Sequence, residues 1–234
     1  MSTYLAEFLG TMVLILLGDG VVAGVSLNKT KAQNGGWIVV TAAWACAVAI
    51  PAFIFGDASG AHFNPALTIA LAAIGNFSWN LVPGYIVAQM LGAIAGAVLV
   101  WLAYLPHWAE TKEQETKLGV FCTAPAIRNT VSNLITEIIG TFILVFGILG
   151  LGQVTLADGI GTLATGMLIL VIGLSLGAPT GYAINPARDL GPRIAHALLP
   201  IAGKGGNDWG YSWIPVVGPI IGGLLGAGLF KLVF

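Results

Sequence analysis

The residues able to do chemistry lie in two short stretches that share one pattern. Gly60-Ala61-His62-Phe63-Asn64-Pro65-Ala66 is matched by Gly181-Tyr182-Ala183-Ile184-Asn185-Pro186-Ala187-Arg188-Asp189. In both, Gly stands four residues before Asn, and Pro-Ala follows it. Asn is a good helix N-cap, and Pro is favoured at the first helical position. Each stretch is therefore irregular backbone that becomes a helix at Asn, with the Asn amide nitrogen left to donate outward. A lone Asn-Pro is a common turn signal. Two copies with matched flanks, set between long apolar runs, specify much more.

The surrounding composition is that of a membrane protein. Of 234 residues, 57% are hydrophobic and 8% charged, and mean hydropathy is +0.91. A soluble domain carries about 25% charged residues. The net charge of −1 gives no reason to expect nucleic acid as a partner. Cys46 and Cys122 make neither a disulfide framework nor a metal-ligand spacing; Cys46 is expected in the membrane core and Cys122 in a loop. No nucleophile–base pair, metal cluster or phosphate loop is present, so neither enzymatic activity nor a cofactor is expected. The N-terminus lacks a basic region and a clear small-residue cleavage site, so no cleavable signal peptide is expected.

A spanning helix needs roughly 20 apolar residues. Spans are expected at 4–25, 37–55, 81–104, 131–152, 159–176 and 212–234. Two apolar runs, 67–74 and 190–199, follow the special stretches and are too short to cross; they read as re-entrant half-helices. Residues 106–129 hold Glu110, Lys112, Glu113, Glu115 and Lys117 and read as a solvated loop. Glu7-Phe8-Leu9-Gly10-Thr11 is echoed by Glu137-Ile138-Ile139-Gly140-Thr141. The chain thus reads as one all-α membrane domain, 1–234, with repeat one at about 1–105, the loop at about 106–129 and repeat two at about 130–234. Three spans per half invert the second repeat against the first. Inverted repeats with broken helices place their site at the repeat interface near the midplane, where Asn64 and Asn185 should meet. Gly92 with Gly96, and Gly218 with Gly222 and Gly226, have the small-residue spacing of close helix contacts.

Two opposed helix N-termini each carry roughly +0.5 elementary charge. A cation or hydronium is repelled there, whereas a neutral oxygen accepts from the two Asn amides. Unwound backbone before each Asn offers carbonyls along a path. The implied chemistry is a selective pore for neutral polar molecules.

These motifs resemble the aquaporin family, over essentially the full chain. Arg188-Asp189 after the second motif is similar to the aquaglyceroporin, or glycerol facilitator, branch. The resemblance implies six transmembrane helices plus two half-helices in a right-handed bundle. It implies passive conduction of glycerol and other small neutral solutes, with some water, excluding protons and ions. It places a selectivity filter on Trp44, Gly173, Tyr182 and Arg188. Asn64, Pro65, Ala66, Asn185, Pro186 and Ala187 form the pore motif. Carbonyls of Gly60, Ala61, His62, Phe63, Gly181, Ala183 and Ile184 line the path, and Glu7, Glu137 and Asp189 support the loops. The water-selective branch typically has His where Gly173 stands, and Gly there leaves room for a carbon chain. Glycerol facilitators often carry Phe where this chain has Tyr182.

The resemblance also implies a homotetramer in the lipid bilayer, with one pore per subunit and both termini cytoplasmic. A bacterial cell membrane is the expected location. Charge bias runs the other way, because Lys29, Lys31, Lys112, Lys117, Arg128 and Lys204 would then lie outside. Asp19, costly in lipid, is expected at a wet rim or bonded to a neighbouring helix; its sharper reading is tuning of small organic acids or of a pH response. His62 is expected to shape the carbonyl path, and His107 and His196 to be incidental. Two other functions fit the pattern: water or an undissociated small acid such as lactic acid through the same fold, and ion-coupled secondary transport.

Overall fold

The computed structural model describes residues 1–234, and ten helices account for its regular structure. In chain order they are α1 Thr3–Ser26, α2 Trp37–Ser59, α3 Pro65–Ala73, α4 Val82–Ala103, α5 Leu105–Glu110, α6 Gln114–Phe121, α7 Thr130–Leu151, α8 Ile160–Leu176, α9 Pro186–Leu198 and α10 Ile214–Val233. Five are long and apolar enough to cross a membrane. The sixth expected span, α8, is 17 residues long, about 26 Å at 1.5 Å per residue. Ile38, Ile54, Val131 and Met167 expose their side chains from these helices. An apolar exterior of that kind has lipid as its natural solvent, and the chain is a multi-pass membrane protein.

Each half runs long helix, long helix, half-helix, long helix. Within the halves, α1 packs on α4 and α2, and α7 packs on α10 and α8. Glycine makes these contacts close. A Cβ on Gly92 or Gly96 of α4 would overlap the α1 backbone at Phe8 or Met12. On Gly222 or Gly226 of α10 it would overlap the α7 backbone at Ile138 or Phe142. The halves interlock through their half-helices, with α3 against α10 and α9 against α4. The irregular stretch of each repeat is thereby wedged into the other.

Residues 106–129 are not the solvated loop that their charges suggest. They contain most of α5 and all of α6, and they bury Trp108, Val120 and Phe121 in the main apolar core. Lys117 is buried too, its ammonium donating to the Ala202 carbonyl. Alternation of charge with Trp108, Val120 and Phe121 marks an amphipathic cover rather than a free loop. Cys46 lies within α2 with its side chain exposed on the outside of the bundle, and Cys122 follows the end of α6 as its C-cap and is buried.

Candidate functional site

Both Asn residues cap their half-helices from extended backbone. Asn64 accepts through Oδ1 from the Ala66 N–H at 2.9 Å, and Asn185 accepts from Ala187 at 2.9 Å and Arg188 at 3.3 Å. Neither amide nitrogen is wholly free. Asn64 Nδ2 donates to the Ile184 carbonyl at 2.9 Å, and Asn185 Nδ2 donates to the Phe63 carbonyl at 2.8 Å. Each motif is thus tied to the other by a reciprocal bond. An amide has two N–H groups, so one donor per Asn remains.

The backbone before each Asn is held in an unusual form. Gly60, Ala61 and Phe63 have φ of +83°, +51° and +48°; Gly181, Tyr182 and Ile184 have +81°, +36° and +44°. A left-handed conformation costs a non-glycine residue roughly 1–2 kcal/mol. Two buried carboxylates hold it. Glu7 accepts from the His62 N–H at 2.9 Å, the Phe63 N–H at 2.8 Å, Ser59 Oγ at 2.7 Å and Gln89 Nε2 at 2.8 Å. Glu137 accepts from the Ala183 N–H at 3.0 Å, the Ile184 N–H at 2.8 Å and Thr180 Oγ1 at 2.7 Å. In a trans peptide the carbonyl points opposite to the N–H. The carbonyls of Ala61, His62, Tyr182 and Ala183 therefore point away from the glutamates. All four residues line a continuous inner cavity of about 70 Å³. Tyr182 enters this group through its backbone, within the unwound stretch 181–184 whose carbonyls are expected along the path, as well as through its ring. Gly60 lines no part of the cavity, and Gly181 faces the outer vestibule.

That vestibule, about 370 Å³, narrows into the inner cavity at three residues common to both linings: Trp44, Tyr182 and Arg188. Arg188 Cζ lies 4.2 Å from the Trp44 ring centre. Its Nη1 donates to Asp19 Oδ1 at 3.2 Å and to the Phe121 carbonyl at 3.4 Å. No protein group accepts from its Nε or Nη2, which leaves that edge of the guanidinium for a guest. Gly18 leaves the space that the Trp44 ring fills.

Gly173 stands directly behind one of its three expected partners, the Tyr182 ring. It lines neither cavity. A Cβ on it would come within 2.8 Å of Tyr182 Cζ and of Thr41 Cγ2, and its carbonyl accepts from Trp37 Nε1 at 3.0 Å. The missing side chain makes room for the Tyr182 ring rather than directly for a solute. The Tyr182 hydroxyl is buried without a protein partner.

Asp189 accepts from Thr123 N and Oγ1 at 2.7 Å each and from Arg193 Nε at 2.9 Å. Arg193, fully buried, also donates to the Thr123, Asn207 and Asp208 carbonyls. Arg193 is a supporting residue beyond those expected from the motifs, and its spacing of four from Asp189 is the signal for it in the sequence. His196 is buried against Phe121, with Nδ1 2.7 Å from Asn207 Oδ1. His107 Nδ1 is 3.0 Å from the Asn28 carbonyl. Both histidines fix loops. His62 Nδ1 is 3.1 Å from Thr68 Oγ1, and its ring packs on Phe77 and Tyr85. Near the vestibule, burial and the charge of Asp189 push the Cys122 thiol well above its usual range.

Comparison with known proteins agrees with this geometry. Residues 1–230 match the family described as major intrinsic protein. The chain is 62% identical over 234 residues to a probable glycerol uptake facilitator protein of Thermotoga maritima, covering 100% of both. It is 55% identical to the glycerol uptake facilitator protein of Bacillus subtilis, covering 100% of this chain and 85% of that one. Its fold matches the X-ray structure of the aquaglyceroporin from Plasmodium falciparum with a TM-score of 0.87 at 30% identity, covering 98% of this chain and 95% of that one.

Proposed function

The chain belongs to the major intrinsic protein family, and we propose that it conducts glycerol and other small neutral solutes, with some water, by passive diffusion. The observation that carries this reading is the neck. Aromatic faces of Trp44 and Tyr182 meet one free edge of Arg188 at the only constriction shared by vestibule and inner cavity. Glycerol has hydroxyls along one edge and C–H groups along the other. Its carbons would lie on the rings, and its hydroxyls would accept from Arg188 Nε and Nη2. Beyond the neck the carbonyls of Tyr182, Ala183, His62 and Ala61 accept from the same hydroxyls, and the free N–H of Asn64 and Asn185 donates to them. A cation finds two positive helix ends and no counter-charge at the asparagines. The two asparagines do not titrate and Arg is always charged, so neither the Asn pair nor Arg188 offers a site for proton coupling.

The assembly belongs to the same proposal. Four copies in a bacterial cell membrane, one pore each, would have both termini cytoplasmic; the lysines of the outer cover then lie outside. Mapping the accessibility of Lys29 and Lys117 checks that orientation. Stopped-flow light scattering on proteoliposomes, with glycerol, lactic acid and a water-only gradient in turn, tests the function. The expected result is glycerol flux well above that of empty vesicles and linear in concentration. Flux confined to water or to lactic acid would redirect the assignment within the fold, and saturable, gradient-driven uptake would overturn it.

A further inference from the structure

The counter-ion behind the neck has no part in the function proposed above. Asp19 is fully buried, lines neither cavity, and reaches the pore only through Arg188. Oδ1 accepts from Arg188 Nη1 at 3.2 Å, and Oδ2 has no protein donor. The neighbouring charges cancel separately, since Asp189 and Arg193 pair with each other at 2.9 Å. A buried ion pair rarely stabilises a protein over apolar residues of similar volume. The pair therefore calls for a role other than stability.

The electrostatics of the path supply one. Both half-helices aim positive N-termini at the centre, and an unopposed Arg188 would add a full positive charge at the outer constriction. Such a lumen repels cations and gathers anions. The carboxylate of Asp19, one contact from the guanidinium, cancels that charge where solutes are admitted, while the Nε and Nη2 donors stay available.

We propose that Asp19 is a specificity-determining positioning residue: it keeps the neck neutral, so that carboxylate anions are excluded while neutral polyols pass. This rests on the channel reading above. The test uses full-length protein in proteoliposomes at neutral pH. Two permeabilities are measured side by side, glycerol by light scattering and lactate anion from a potassium lactate gradient with valinomycin carrying the compensating charge. The wild type is expected to pass glycerol and hold back lactate. Asp19→Asn is expected to raise the lactate-to-glycerol ratio about tenfold or more, the size set by one unit charge removed several ångströms from the path. Asp19→Glu, which restores the charge, is expected to bring the ratio back towards the wild type. A purely structural Asp19 would lower both permeabilities together and leave the ratio alone. Should Asp19→Asn fail to fold, Asp19→Ser, equally uncharged and leaving Arg188 in place, takes its place with the same rise in the lactate-to-glycerol ratio expected, and an unchanged ratio in it overturns the proposal. An unchanged ratio in Asp19→Asn, or a wild type that passes lactate as readily as glycerol, also overturns it. Absence of glycerol flux in the wild type would instead remove the channel reading itself.

Discussion

Thr68 and Asp189 occupy the same place in the two half-helices, four residues after the capping Asn, and they keep different company. Thr68 shares uncharged hydrogen bonds with His62 and Gln89, beside an aromatic cluster of His62, Phe77 and Tyr85. Asp189 sits in a charged knot with Arg193 and Thr123 that anchors the cover over the vestibule. One residue earlier, Leu67 faces the cavity in the first repeat and Arg188 in the second. What the repeats share is the glutamate, the left-handed backbone, the capping Asn and the glycine-lined helix contact. Shared parts set backbone carbonyls and the two Asn amides along one inner cavity. The parts that differ are gathered at one end of it, at the neck where we propose that the solute is chosen.

The largest expected effects probe the shared part. Glu7→Ala strands two backbone N–H groups, Ser59 and Gln89; Glu137→Ala strands two backbone N–H groups and Thr180. An unsatisfied buried donor costs about 1–3 kcal/mol, so both variants should lose folded protein, Glu7→Ala the more. Thermal unfolding in detergent measures this. A mild effect in only one of them would break the equivalence of the repeats.

Asp189→Ala should destabilise by about 3–5 kcal/mol, because it leaves the buried Arg193 unpaired. Thr68→Ala should cost about 1 kcal/mol, the worth of ordinary neutral hydrogen bonds. Equal losses, read from the same unfolding curves, would erase the contrast between a charged and an uncharged half. Gly92→Ala and Gly222→Ala should each cost about 1–3 kcal/mol through backbone overlap, and by similar amounts. The smallest effect is expected at Tyr182→Phe. Deleting a buried hydroxyl that has no partner should leave the melting temperature unchanged or raise it, by up to about 1 kcal/mol of stability. A clear loss would reveal a partner for that hydroxyl.

The symmetric part was legible in the sequence because its signals are local. Asn followed by Pro declares a capped helix start, and Gly at every fourth residue declares a close helix face. Glu7 and Glu137 stood out as acids in apolar runs. The charged end was less legible because its contacts are distant in the chain. Asp19 meets Arg188 across 169 positions and Phe121 meets it across 67. No local pattern announces either. The cover is less legible because Glu110, Lys112, Glu113 and Glu115 face outward while Trp108, Val120 and Phe121 fill the core, and Lys117 is buried on a carbonyl of a distant loop. The family resemblance sets Gly173 at the neck, and spacing does not reveal that the Tyr182 ring from the next loop stands in front of it.

An experimental structure of the protein with glycerol bound is the sharpest test. One glycerol is expected at the neck, its carbons on Trp44 and Tyr182 and two hydroxyls within hydrogen-bond distance of Arg188 Nε and Nη2. A neck empty of glycerol, with the polyol bound only outside the bundle, would contradict it.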